Sequence, residues 1–192
     1  MTVYAQTGLV TFHGPTVVWN FGAPSGLTEY TASHFWPLIE GSRAIQRIEP
    51  MQKWRWWREG KAHGTLLGGN LASLEGLLGT PWEPDWQDSI LFWEDIGKPT
   101  NRLDMALTHF RDAGVFNKIA GMIVGELVSC DPPDGGQTLE EMLREVIGEF
   151  SFPVLMHVDI GHTDDKITLP IGIESELNSE GGIFSFLESP VR

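Results

Sequence analysis

Large apolar residues are packed most densely at Ile90-Leu91-Phe92-Trp93, and the run ends on two carboxylates, Glu94 and Asp95. A short unbroken apolar run predicts a strand covered on both faces. Gly97 and Pro99 stop it. Val154-Leu155-Met156-His157-Val158-Asp159 repeats the pattern and runs into Ile160-Gly161-His162-Thr163. An acid at the end of a buried strand lies at the rim of a sheet, where α/β folds hold their ligands. One strand would therefore deliver Glu94 to that rim, and another, through a glycine turn, His162.

The remaining chain falls into alternating elements. Residues 3–8 read as the last turn of a helix closed by Gly8, with an apolar strand after it. Pro15–Trp19 reads as a strand or loop under the core, and Asn20–Gly26 as a turn cluster. Thr28–Ile39 has helical spacing despite Pro37, and Arg43–Ile48 alternates like a short strand. Gly68-Gly69-Asn70 predicts a strand-to-helix turn, with Asn70 as N-cap of a helix over Leu71–Leu78. Backbone N–H groups there would suit a peptide carboxylate, or the glycines are turn chemistry only. Thr100–Ala113 is an amphipathic helix, Lys118–Leu127 leads into a strand, and Thr138 to Glu141 forms a capping box for a helix ending at Glu149. Ile167–Ile173 and Ile183–Leu187 are the last strands. This order predicts an α/β fold, a mixed sheet with flanking helices.

Residues 51–63 change the picture locally. Trp54, Trp56 and Trp57 stand among Lys53, Arg55, Arg58 and Lys61, a basic aromatic segment in a chain of net charge −13. Indole and guanidinium faces stack on bases and sugars, which makes Trp56 a candidate substrate contact. The plainer reading is a half-exposed strand pair that turns alternate tryptophans into the core. The acidic balance disfavours nucleic acid and anionic membrane as partners. The 192 residues, 41% of them hydrophobic, suffice for one ordinary domain with a real core. One cysteine, Cys130, excludes an internal disulfide and fits a reducing compartment such as the cytoplasm. Neither a membrane-spanning apolar run nor a signal peptide is visible.

Glu94 and His162 are two thirds of a hydrolase triad, an imidazole base and the acid that orients it. A buried, hydrogen-bonded histidine with no catalytic role is the ordinary alternative. Asp159, His162, Asp164 and Asp165 also offer a metal reading, but no paired histidines accompany them, and no metal or cofactor is expected. A nucleophile is harder to find. Ser25, in Gly22-Ala23-Pro24-Ser25-Gly26, has no apolar strand before it and reads as a turn residue. Cys130 is followed by Asp131, whose charge would raise the thiol pKa. The chain holds a base and its orienter without the group they serve.

The following pieces, in order, resemble the C-terminal part of the serine LD-carboxypeptidases, a family that includes the microcin C immunity peptidases. They are Tyr4-Ala5 and Thr7 to Pro15, Gly68 to Leu71, Gly79-Thr80-Pro81-Trp82, Ile90-Leu91 with Glu94-Asp95, Gly114 with Phe116, Cys130-Asp131, Pro153-Val154, Asp159 with Gly161-His162-Thr163, and Thr168 to Gly172. The resemblance covers nearly the whole chain. It implies a Ser-Glu-His triad in which Glu94 and His162 match the acid and the base. It implies that the serine elbow and its oxyanion hole lie in an N-terminal domain, of which residues 1–15 would be the remnant and linker, with residues 16–192 as the C-terminal domain. It further implies cleavage of an L,D peptide bond in muropeptides, or of a peptide–nucleotide, by a homodimer without metal. Gly69, Asn70, Trp56 and Thr163 become substrate-binding candidates. Without its nucleophile, the chain alone is expected to be inactive. The competing expectation is a non-catalytic module that binds muropeptide or nucleotide through the Trp-rich segment, and a third is a split enzyme whose serine domain is a separate chain.

Overall fold

The computed structural model describes residues 1–41 and 47–191. In chain order it forms α1 (Thr2–Thr7), β1 (Thr11–His13), α2 (Glu29–Ile39), β2 (Arg55–Arg58), β3 (Lys61–Asn70), α3 (Leu71–Glu75) and β4 (Ser89–Ile96). There follow α4 (Thr100–Asp112), β5 (Gly121–Val128), α5 (Leu139–Ile147), β6 (Val154–Val158), β7 (Leu169–Ile171), β8 (Glu174–Asn178) and β9 (Ile183–Phe186). Seven strands make one sheet in the order β2-β6-β5-β4-β3-β8-β9, and β1 pairs with β7 in a small ribbon. β3, β4, β5 and β6 run parallel, while β2, β8 and β9 are antiparallel additions. The fold is α/β with a mixed sheet and flanking helices, as the alternation of elements predicts.

β4 is the middle strand, and every residue from Ser89 to Asp95 is buried. Its apolar run therefore faces covering layers on both sides. Helix α4 packs between α3 and α5, burying Leu103, Leu107 and Phe110. The capping box on α5 is complete, with Thr138 and Glu141 each satisfying the other's backbone N–H. Gly8 closes α1 in the left-handed conformation, φ 69°.

Several expectations are corrected. Val17–Phe21 forms a π-helical turn on the surface rather than a strand or loop under the core: Val17 is 79% exposed and Trp19 77%. Val17, Val18 and Trp19 mislead because nothing in the described chain covers them. The tryptophan segment does give two strands, β2 and the start of β3, but they do not pair. β2 joins β6 at the sheet edge and β3 lies inside the sheet. Helix α3 ends at Gly76 rather than at Gly79. β8 escapes the hydrophobic pattern because its inward positions are Ser175 and Leu177, a single large apolar residue. The strand expected over Arg43–Ile48 lies mostly outside the described residues; within it Arg47 makes an isolated bridge to Ser185.

Candidate active site

The carboxyl ends of β3, β4 and β6 meet at one rim. Asn70 at the end of β3 is in register with Glu94 on β4. Alternation along β4 sends Glu94 and Asp95 to opposite faces. Asp95 is consumed by the fold: it accepts from Asn70 Nδ2 at 3.2 Å, from the Ala72 backbone at 3.2 Å and from the Ile96 backbone at 2.7 Å. Glu94 has no solvent exposure, and its Oε2 lies 2.8 Å from His162 Nδ1. Its Oε1 is buried without a partner.

Two irregularities bring this pair together. The β4–β5 register slips between Trp93 and Asp95, and the β5–β6 register slips at Val124/Gly125, where β6 accommodates His157 at φ 59°. Gly125 lies at both slips, and a Cβ there would collide with Ile160 and press on the Glu94 Cβ at 3.1 Å. Gly161, at φ 122°, lets the chain pass so close that a Cβ would meet Glu94 Oε2 at 3.1 Å and the Glu126 carbonyl oxygen at 3.0 Å. A side chain at either position would push His162 away from Glu94.

His162 opens onto a cleft of about 1010 Å³ that is also lined by Glu94, Gly68, Gly69, Asn70, Thr163 and Lys166. Of the sequence-derived candidates, Glu94, His162, Gly69, Asn70 and Thr163 meet there. Trp56 does not: it sits on edge strand β2, half-buried against the core, in register with Leu155. Trp54 is tied down as well, donating its indole N–H to Asp159 Oδ2 at 2.8 Å. Asn70 spends its side chain inside the protein, with Oδ1 accepting from the Ser73 backbone at 3.2 Å and Nδ2 donating to Asp95. Thr163 Oγ1 donates to the Asp165 carbonyl at 2.8 Å, which stiffens the turn after His162.

Asp159 is a structural anchor rather than a ligand, since Oδ2 accepts from Tyr30 Oη, the Met51 backbone N–H and Trp54 Nε1. Among the described residues no group of three or more histidine, cysteine, aspartate and glutamate side chains is arranged to hold a metal ion. Ser25 is exposed in its turn. Cys130 is 7% exposed, and its thiol is pushed up first by burial, then by Asp95 and Glu94. The direction agrees with the sequence reading; the cause is burial and these two acids rather than Asp131.

Two site residues were not assigned from the sequence. His13, in the β1 strand, stacks edge-on over Phe92 with ring centroids 5.4 Å apart and lines the cleft. Its imidazole is pushed down to about 4 by burial, with Lys166 and His162 adding to the effect. Lys166 lines the same cleft. A lysine at the start of the apolar stretch Lys166-Ile167, four positions after His162, was the available signal.

The profile of the LD-carboxypeptidase C-terminal domain matches residues 63–177. A probable murein peptide carboxypeptidase of Bacillus subtilis is 32% identical over 181 residues, covering 92% of this chain and 56% of that protein. The microcin C7 self-immunity protein MccF of Escherichia coli is 28% identical over 211 residues, covering 97% of this chain and 61% of its own. The chain thus spans somewhat more than half the length of these curated relatives. Among solved structures, MccF in complex with glutamyl sulfamoyl guanosine superposes with a TM-score of 0.89 at 27% identity, over all of this chain and 64% of that one. A muramoyltetrapeptide carboxypeptidase from Oxalobacter formigenes superposes with a TM-score of 0.79 at 29% identity, over 96% of this chain and 65% of that one.

Proposed function

The chain belongs to the LD-carboxypeptidase family, and from that membership we propose that it supplies the acid and the base of a serine carboxypeptidase acting on the L,D peptide bond of muropeptides. The observation that carries this reading is the 2.8 Å contact between His162 Nδ1 and the fully buried Glu94, at the mouth of a large cleft. With Nδ1–H donating to the carboxylate, Nε2 is left as the base. A serine hydroxyl from another segment would lose its proton to Nε2 as its oxygen bonds to the scissile carbonyl carbon. The same proton then passes to the departing amine, which leaves as a D-amino acid, and water hydrolyses the acyl-serine by the reverse proton path. The full enzyme in this reading is a cytoplasmic homodimer. Its nucleophile and oxyanion donors lie outside these residues, so the chain by itself has no covalent route.

A peptide–nucleotide substrate is the second reading. Its support is that the MccF complexes superpose more closely, at a TM-score of 0.89, than the muramoyltetrapeptide enzyme does at 0.79. A non-catalytic module built on Trp56 has less support, because Trp54 and Trp56 are engaged by the fold.

Release of D-alanine from a muramoyl tetrapeptide tests the first reading. The pure chain is expected to release none above its His162→Ala variant. Mixing it with the part of the Bacillus subtilis relative that lies outside the region matched by this chain is expected to restore release. Glu94→Gln should then cost about 10⁴-fold in rate, the scale seen when the orienting acid of a triad is neutralised. Turnover by the pure chain that survives His162→Ala would overturn the reading.

A further inference from the structure

Lys166 is only 5% exposed, yet it lies on the wall of the cleft that holds Glu94 and His162. Its backbone N–H donates to Thr31 Oγ1 at 3.0 Å, which fixes the segment it stands on. Its ammonium forms no ion pair and no hydrogen bond among the described residues. Burial pushes its pKa down, and Glu94 and Asp164 offset this only in part, without pairing with it, since Glu94 already gives Oε2 to His162. A cation this deep without a counter-ion keeps an uncompensated desolvation cost that an entering anion would offset. No other lysine or arginine lines the cleft among the described residues.

The position is informative. A carboxypeptidase must hold the free carboxylate one residue beyond the bond it cuts, about 3.5 Å of extended chain away. The recognising cation therefore has to sit beside the catalytic pair, and Lys166 follows His162 by one tight turn closed by Thr163. We propose that Lys166 is the carboxylate-recognition residue of this cleft, pairing with the C-terminal carboxylate of the bound peptide. This assignment rests on the peptidase reading for the identity of the carboxylate, and its test requires no turnover.

The test is calorimetric titration of the 192-residue chain with N-acetyl-D-alanine and, separately, with its carboxamide, which has the same shape without the charge. The acid is expected to bind at least tenfold more tightly than the amide. Lys166→Met should abolish that preference while leaving amide binding unchanged, and Lys166→Arg should retain part of it. Amide-proton spectra of each variant establish that it is folded; should Lys166→Met fail to fold, the acid–amide comparison and Lys166→Arg decide. Equal binding of acid and amide, acid binding indifferent to Lys166→Met, or no binding of either ligand by the unaltered chain would overturn the proposal. Lys166-dependent binding without restored D-alanine release would keep this subsite and sink the peptidase reading; release without Lys166 dependence would do the opposite.

Discussion

Glu94 and Asp95 are adjacent and chemically alike, yet the sheet uses them differently. One residue of alternation turns Asp95 toward the start of α3, where it is saturated by N–H donors, and turns Glu94 toward His162. His13 shows how the same crowding sets a charge state. Its imidazole is held at about 4, against an ordinary value of 6.5, first by burial and then by Lys166 and His162. The unfolded chain therefore takes up a proton near pH 6.5 that the folded chain refuses until near pH 4. The stability contributed by the neutral ring is complete above pH 6.5 and is lost as pH falls from there toward 4, at up to about 1.4 kcal/mol per pH unit. His13→Asn removes this titration. Thermal melts at pH 7 and pH 5 are expected to show a loss in Tm several degrees smaller for the variant than for the parent; equal losses would mean that His13 does not titrate in this window. Glu94 and His162 were legible in the sequence because each follows a buried apolar run. His13 and Lys166 were not, because what makes them part of the site is a contact between β1, the His162 turn and β4 that no local pattern encodes.

Among the elements, Asp159 links pieces distant in sequence. Its Oδ2 accepts from Tyr30 on α2, from the Met51 backbone and from Trp54 just ahead of β2. The tryptophan segment is thereby fastened to the end of β6, three residues before His162. Asp159→Ala leaves three donors without their acceptor, at roughly 1 kcal/mol each or about 3 kcal/mol in all. Chemical denaturation should show that loss, and Trp54 fluorescence should shift toward the solvent-exposed range; a loss below about 1 kcal/mol would mean that water replaces the carboxylate without strain. The sequence showed the tryptophans and the aspartate, but offered the first as a stacking surface or strand pair and the second as a metal ligand. Strands with unbroken or alternating apolar residues, β4, β5 and β6, were legible for the physical reason that burial demands such residues. β8 was not, since a strand held between β3 and β9 needs little apolar area of its own.

At the scale of the whole molecule, an apolar strip runs beside the cleft. Val17, Val18 and Trp19 are each more than 70% exposed, and Val3, Leu9 and Phe12 are exposed as well. Val3, Phe12 and Trp19 also line the cleft mouth. A contiguous exposed apolar patch on a water-soluble surface marks a place where another surface docks. The strip and His162 lie at the same mouth, so a surface that covers the strip comes to rest beside His162. In isolation the strip has only itself to meet, and the chain is expected to self-associate as its concentration rises in sedimentation velocity. Replacing Val17 and Val18 by lysine should weaken that association at least tenfold, about 1.4 kcal/mol. The substitution brings the net charge of −13 closer to zero, so overall repulsion cannot account for the loss. A monomer at every concentration would mean that the strip needs a differently shaped partner. In that case any segment found to restore D-alanine release should protect Val17–Trp19 from hydrogen exchange, while the lysine pair should weaken the restored rate through binding rather than through kcat.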